Sequence, residues 1–261
     1  MHPHPSHQHQ HKHQHFDNLP RAIAVMENTW PTGSSTGWHT HPRGQLLYAT
    51  DGVMVVHSDV GAWVVPPNRA LWMVAGLRHS VTMSGDVLMR TAYIDESKVA
   101  NLPQDSCVIN VSPLLRELLV EAVRISPTEA VEGRDALLLD LLVCELRVSS
   151  TIPLHLPMPV DARLRSICDA LSRRPSDASS AADWARSIGV AERTLHRLFA
   201  KQTGMTFAQW REQARLLHAL RKIAEGDKLI DVALDCGYAS PSAFAAMFKR
   251  HFKTSPSNFY R

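Results

Sequence analysis

Cysteine is scarce: Cys107, Cys144, Cys168 and Cys236 are the four in 261 residues. None forms a C-x-x-C pair, which excludes a zinc ribbon, a thioredoxin-like motif and a disulfide framework. Cys144, Cys168 and Cys236 fall beside apolar residues in helical patterns, so buried, reduced thiols of a cytoplasmic protein are expected. Long apolar runs are missing too. No stretch approaches the roughly 18 residues of a membrane span, and the N-terminus carries no apolar signal-peptide core. A cytoplasmic protein without membrane contact is therefore expected.

Charge of either sign is not in large excess, at a formal net of +3, but it is unevenly placed. From Asp161 onward there are 17 Lys and Arg against 10 Asp and Glu, a net of +7, which leaves −4 for residues 1–160. A basic C-terminal third suits a polyanionic partner through counterion release. The first 15 residues, MHPHPSHQHQHKHQH, hold seven histidines. Such a segment cannot bury a core. Residues 1–16 are expected to form a disordered tail that binds Zn or Ni loosely, serves as a neutral polar tail, or is partly a cloning remnant.

The last 81 residues, Ala181 to Arg261, carry the most information. AADWARSIGVAERTLHRLFAKQTG and LIDVALDCGYASPSAFAAMFKRHFKTSPSNFYR each read as a short helix, a turn with Gly189 or Gly237, and a second helix with an apolar stripe. The stripes are Leu195, Leu198, Phe199 and Phe244, Met247, Phe248. Each buries one helix face and frees the other, as a helix-turn-helix entering the DNA major groove requires. Thr206 and Gln209 form a capping box for a connecting helix that stops at Gly226. Its roughly 20 residues span about 30 Å, close to one turn of B-DNA.

This region resembles the DNA-binding domain of the AraC/XylS family of transcription regulators, through WARSIGVAERTLHRLFAKQTGMTFAQWREQAR, IDVALDCGYASPSAFAAMFKRHF and SPSNFYR. Ala191 departs from the pattern, since Ser or Thr usually caps the first recognition helix. Outward positions of that helix are Glu192, Arg193, His196 and Arg197, and the resemblance implies base contacts at 193, 196 and 197. Arg reads guanine O6 and N7 bidentately, although both arginines could instead bind phosphate alone. The second recognition helix offers Ser242, Ala245, Ala246 and Lys249, with Arg250 following. Two alanines leave little but methyl contacts, so this helix is expected to position the backbone more than to read bases.

Upstream, AIAVMEN, GQLLYAT, GVMVVHS, GAWVVPP, RALWMVA, RHSVTM and VLMRTAYID read as short strands between turn residues. Many such strands suggest a small barrel or jelly roll. GSSTGWHTHPRGQLLYATDG and PPNRALWMVAGLRHSV resemble the two cupin motifs. His39 and His41 alternate along a strand and share a face, and the resemblance places His79 opposite them. Three imidazoles could hold Zn, Ni or Fe. Gln45 stands where metal-binding cupins usually have Glu, and Val74 and Met83 also depart from the motif. The histidines remain open to two other roles: the polar wall of an organic effector pocket, or hydrogen-bonded core. Trp63 and Trp72 could complete a pocket with His39, His41, Gln45 and His79, or simply pack. Trp38 is expected on a helix-packed outer side, and His57 on a strand surface.

SPLLRELLVEAVR and GRDALLLDLLVCELRV are amphipathic helices, the first capped by Ser112 with Pro113. Their leucines exceed one face, so packing on two sides is expected, one against the barrel and one against a second subunit. Regulators of the resembling kind commonly dimerise through such helices. TIPLHLPMPVD is a stiff extended connector.

The expected fold is thus α+β: a cupin-like sensor barrel (17–107), a helical linker for dimerisation (108–150), a Pro-rich connector (151–160) and an all-α double helix-turn-helix domain (161–261). The function this implies is a non-enzymatic, ligand-responsive transcription regulator. Its partners would be promoter DNA, a small-molecule or metal effector, a second subunit and RNA polymerase, and its target a nearby transporter or catabolic gene. The barrel half is similar to the subgroup of these regulators that controls efflux transporters, the nitroimidazole-transporter regulator among them. The rival reading is a cupin dioxygenase or isomerase fused to a DNA-binding module, and Gln45 weighs against its iron site.

Overall fold

The computed structural model describes residue 19 and residues 21–259; the His-rich segment lies outside them. The chain forms two compact units. Of the described residues, those up to Asp59 and Val65–Leu154 make the first, and Val60–Val64 with those from His155 onward make the second. No helix among the described residues is long and apolar enough to cross a membrane.

All seven stretches read as strands are strands: β1 Ile23–Trp30, β2 Gly44–Ala49, β3 Val53–Ser58, β4 Gly61–Val65, β5 Arg69–Met73, β6 His79–Ser84 and β7 Val87–Ile94. Three short ones escaped the pattern: β8 Cys107–Asn110, β9 Thr151–Ile152 and β10 His155–Pro157. In the first unit an antiparallel six-stranded sheet runs β1-β7-β2-β5-β8-β9, and β3 pairs with β6. Helices α1 Pro113–Ala122 and α2 Gly133–Val148 cover one face of the large sheet. Leu46, Tyr48, Trp72, Ala92 and Ile94 from the sheet meet Leu115, Leu119, Leu142 and Leu146 from these helices. Ser112 caps α1 by accepting from the Leu115 amide.

The helices bury one side only. Leu114, Leu137 and Leu141 are exposed, on the side for which the sequence suggests a second subunit. Cys144 is exposed as well, whereas Cys168 and Cys236 are buried. Burial pushes the Cys236 thiol up to about 12 and the Cys168 thiol upward too, so both stay inert.

The second unit is helical: α3 Ala162–Arg173, α4 Ala181–Ser187, α5 Glu192–Thr203, α6 Phe207–Ala224, α7 Leu229–Asp235 and α8 Pro241–Phe252. Thr206 and Gln209 form the expected capping box on α6, and Ser240 with Pro241 opens α8. Ser180 and Asp183 form a further capping box, on α4, that the sequence reading missed. Ala191 gives α5 no side-chain cap. The turns of both helix-turn-helix units take a left-handed glycine, Gly189 at φ 71° and Gly237 at φ 75°. A β-carbon at Gly237 would come within 3.0 Å of Arg215 and Ser176, so that turn tolerates glycine alone. Leu195, Phe199, Trp210, Phe244 and Phe248 are all buried, and they fix the recognition helices by their inner faces.

Candidate effector site and nucleic-acid interface

The first unit gathers His39, His41 and His79. A bridge joins the backbones of His39 and His79, each amide donating to the other's carbonyl at 2.9 Å. Ring centroids lie 4.9 Å apart for His39–His41, 4.3 Å for His39–His79 and 5.8 Å for His41–His79. One ring nitrogen from each can be chosen so that all three lie within 4.8 Å of one another. His39 Nδ1 sits 2.8 Å from the Gly37 carbonyl, and His79 Nδ1 sits 2.9 Å from that of Leu77. A carbonyl only accepts, so both Nδ1 atoms carry a proton, and in the neutral rings Nε2 holds the lone pair. The Gly76 amide, donating to the His41 carbonyl at 2.8 Å, ties the loop before His79 to the irregular segment carrying His41.

Burial pulls the His41 imidazole down to about 4, helped by the charge of neighbouring His39. His41 therefore stays unprotonated well below the pH at which an ordinary histidine, near 6.5, takes up its proton.

Gln45 lies on the sheet face turned away from the helices. Its register partners are Met73 and Tyr93, and the Tyr93 ring is 5.3 Å from that of His41. The Gln45 Oε1 atom is buried with no hydrogen-bond partner among the described residues. Trp72 is one residue out of step with Met73, so it faces α1 and α2, with its Nε1 donating to the Pro103 carbonyl at 2.9 Å. It is core and is not brought together with the triad. Trp63 belongs to the second unit, where it stacks on His155. Trp38 is not helix-packed: it is 45 % exposed, with the Arg78 guanidinium 4.7 Å above it. His57 is exposed, as expected of a strand surface.

Two residues beside the triad escaped the sequence reading. Tyr93 touches His41, and Ser58, buried, is the direct register partner of His79. Strand alternation alone could have marked Ser58 as inward, since Met54 and Val56 precede it on the same β3 pattern.

In the second unit, Arg193 and Arg197 are exposed on α5, four residues apart and on one face. Glu192 and His196 turn toward a groove shared with Ala246 and Arg250 of α8, above Arg211 and Glu212 of α6. Ser242 and Lys249 are exposed, and Ala245 is half-buried. Arg250 is paired with Glu212, which also lies 3.2 Å from His251 Nε2. The exposed recognition surface is thus most cationic at Arg193 and Arg197 on α5 and at Lys249 on α8.

Residues 29–188 match the AraC-like ligand binding domain family, and residues 184–261 match the helix-turn-helix domain family. The chain belongs to the AraC family. It is 32 % identical over 221 residues to the HTH-type transcriptional regulator NimR of Escherichia coli, covering 85 % of this chain and 81 % of that one. Over 103 residues it is 34 % identical to the regulator RipA of Corynebacterium glutamicum, 40 % of this chain and 31 % of that one. The structure of ToxT from Vibrio cholerae aligns over 92 % of this chain and 98 % of its own at 12 % identity and a TM-score of 0.39, too weak a likeness to add to the assignment. This AraC-family chain is therefore a transcription regulator with a ligand-binding and a DNA-binding part, and its relatives give the enzyme alternative no support.

Three histidines of this regulator, His41, His155 and His218, are each drawn down to about 4, chiefly by burial. The unfolded chain binds these protons near pH 6.5 and the folded chain only near 4. Stability is thus retained above pH 6.5 and lost progressively as pH falls toward 4. Urea unfolding midpoints are expected to drop between pH 6.5 and 5, before most carboxylates titrate. An unchanged midpoint over that window would show that these rings are solvated.

Proposed function

We propose that His39, His41 and His79 form the effector site of this regulator and hold a divalent metal ion. The observation that carries the proposal is the convergence of three imidazoles, two of them oriented by backbone carbonyls at Nδ1. Metal-binding histidines are usually oriented in this way, by a hydrogen bond from the other ring nitrogen. The depressed His41 pKa keeps that ring neutral, as ligation requires. Among the described residues no carboxylate joins the set, which suits Zn or Ni better than a redox iron centre. The orphaned Oε1 of Gln45 is a further neutral oxygen near the cluster. Bound there, the metal would supply an open Lewis-acidic position for an anionic or electron-rich effector. Ser58 and Tyr93 would line that position beside His79 and His41.

The output is DNA binding. Arg193 and Arg197 of α5 read bases, with His196 beside them, while Ser242, Lys249 and Arg250 of α8 hold the backbone. We further propose that the protein acts in the cytoplasm on the promoter of a nearby transporter or catabolic gene, where RNA polymerase is the second macromolecular partner. Gln45→Glu tests the metal assignment. An added anionic ligand is expected to tighten Zn(II) binding by about tenfold, as measured by competition with a chromophoric chelator. Unchanged affinity would place residue 45 outside the site.

The exposed Leu137 and Leu141 lie four apart on α2 and share a face. They suit a homodimer contact. Leu137→Lys with Leu141→Lys is expected to shift the protein from dimer to monomer in sedimentation equilibrium, and a wild-type monomer would remove that assignment.

A further inference from the structure

Glu212 of α6 stands in the groove between the two recognition helices, wholly within the second unit. It shares the groove with another acid, Glu192, which lies 3.5 Å from His196, one turn along its own helix α5. An acid on this surface works against binding a polyanion. Both partners of Glu212 come from α8. Arg250 Nη2 donates to Glu212 Oε1, and His251 Nε2 lies 3.2 Å from the same oxygen. Burial works against ionisation of this carboxyl, but hydrogen bonds from His251 and Arg250 outweigh it and hold the group below the usual carboxylate range. Glu212 is thus anionic at neutral pH.

The two partners differ in freedom. The Arg250 side chain is 65 % exposed and that of His251 27 %. Phe244, Met247 and Phe248 fix α8 by its inner face, so Arg250 can turn out of the groove while the helix stays in place. Two other arginines on the groove are held by backbone carbonyls instead. Arg211 Nη1 donates to the Ser179 carbonyl at 2.8 Å, and Arg215 Nε to that of Pro175 at 2.8 Å.

We propose that Glu212 is a specificity-determining residue that competes with DNA phosphate for Arg250. On the operator, where α5 finds its bases and α8 is fully seated, a phosphate comes within reach of Arg250 and takes it from Glu212. His251 stays behind as the partner of the carboxylate. On random DNA α8 is less closely seated, Arg250 stays with Glu212, and one phosphate contact is not made. Discrimination is gained by weakening the wrong complexes, with no added base contact. The inference rests on the reading of Arg250 as a backbone contact.

The test uses the full chain and two duplexes of equal length, one carrying the chain's own promoter region and one of random sequence, each titrated over a range of salt. Glu212→Gln keeps the shape of the side chain and removes its charge. It is expected to raise affinity for the random duplex by about threefold to fivefold, the scale of a partly exposed ion pair, and to leave operator affinity within about twofold. The salt slope on random DNA should steepen by about one. Adding Arg250→Ala to Glu212→Gln is expected to remove the gain. Equal gains on both duplexes, or a gain that survives the loss of Arg250, overturn the proposal, since any removed negative charge would give either. Loss of binding to both duplexes overturns it as well, because Glu212 would then serve only to hold α8. Arg250→Ala alone reports separately on the underlying reading. Weakened operator binding supports the phosphate contact, and unchanged operator binding removes that contact and the proposal with it.

Discussion

His41→Ala is expected to lower affinity for Zn(II) by more than about a hundredfold, since losing a direct ligand should cost more than the 10–100-fold typical of an outer-shell partner. Among the described residues the triad has no further His, Cys or carboxylate ligand to compensate: three imidazoles meet there, and Gln45 offers only a neutral oxygen. The loss should be seen with protein lacking residues 1–16, because the seven histidines of that segment would bind metal on their own account. His41→Ala should also remove any response of operator affinity to Zn(II). Retention of tight, stoichiometric binding by this variant would show that the ion sits elsewhere.

The second large effect belongs to the recognition helices. Arg197→Ala is expected to cost about 1–3 kcal/mol on the specific operator and to relax preference at one or two base pairs. Lys249→Ala should weaken specific and random DNA by similar factors and lower the salt slope by about one. The asymmetry follows from the surfaces themselves. α5 presents two exposed arginines on one face, whereas α8 presents alanines and a lysine, with Arg250 engaged by Glu212. Competition binding against randomised half-sites separates the two cases. Equal loss of discrimination from both substitutions contradicts the division of labour.

Much of this was legible in the sequence because it depends on local chemistry. Strand alternation marked β1 to β7, and Thr206 with Gln209, Ser112 with Pro113 and the turn glycines marked the helix ends. The triad was legible because His39 and His41 are two apart on an extended segment, and because the cupin resemblance supplied His79. What escaped is set by partners distant in sequence. β8, β9 and β10 are two to four residues long and carry no pattern of their own; they exist because a neighbouring edge accepts them. The alternation of Trp38 with His39 told which way the indole points, but not that Arg78 rather than a helix would meet it. Trp72 is aromatic and near the second motif, yet a one-residue offset from Met73 puts it in the helix-facing core.

The link between the two halves of this regulator is tested most directly by one titration. Protein lacking residues 1–16 is titrated with Zn(II) at pH 7 and fixed salt, while metal occupancy and affinity for its own promoter duplex are followed together. The account predicts saturation at about one Zn(II) per chain, with operator affinity changing over the same range of occupancy and both responses lost in His41→Ala. Absence of a saturable equivalent, together with an operator affinity that stays flat throughout, would contradict it.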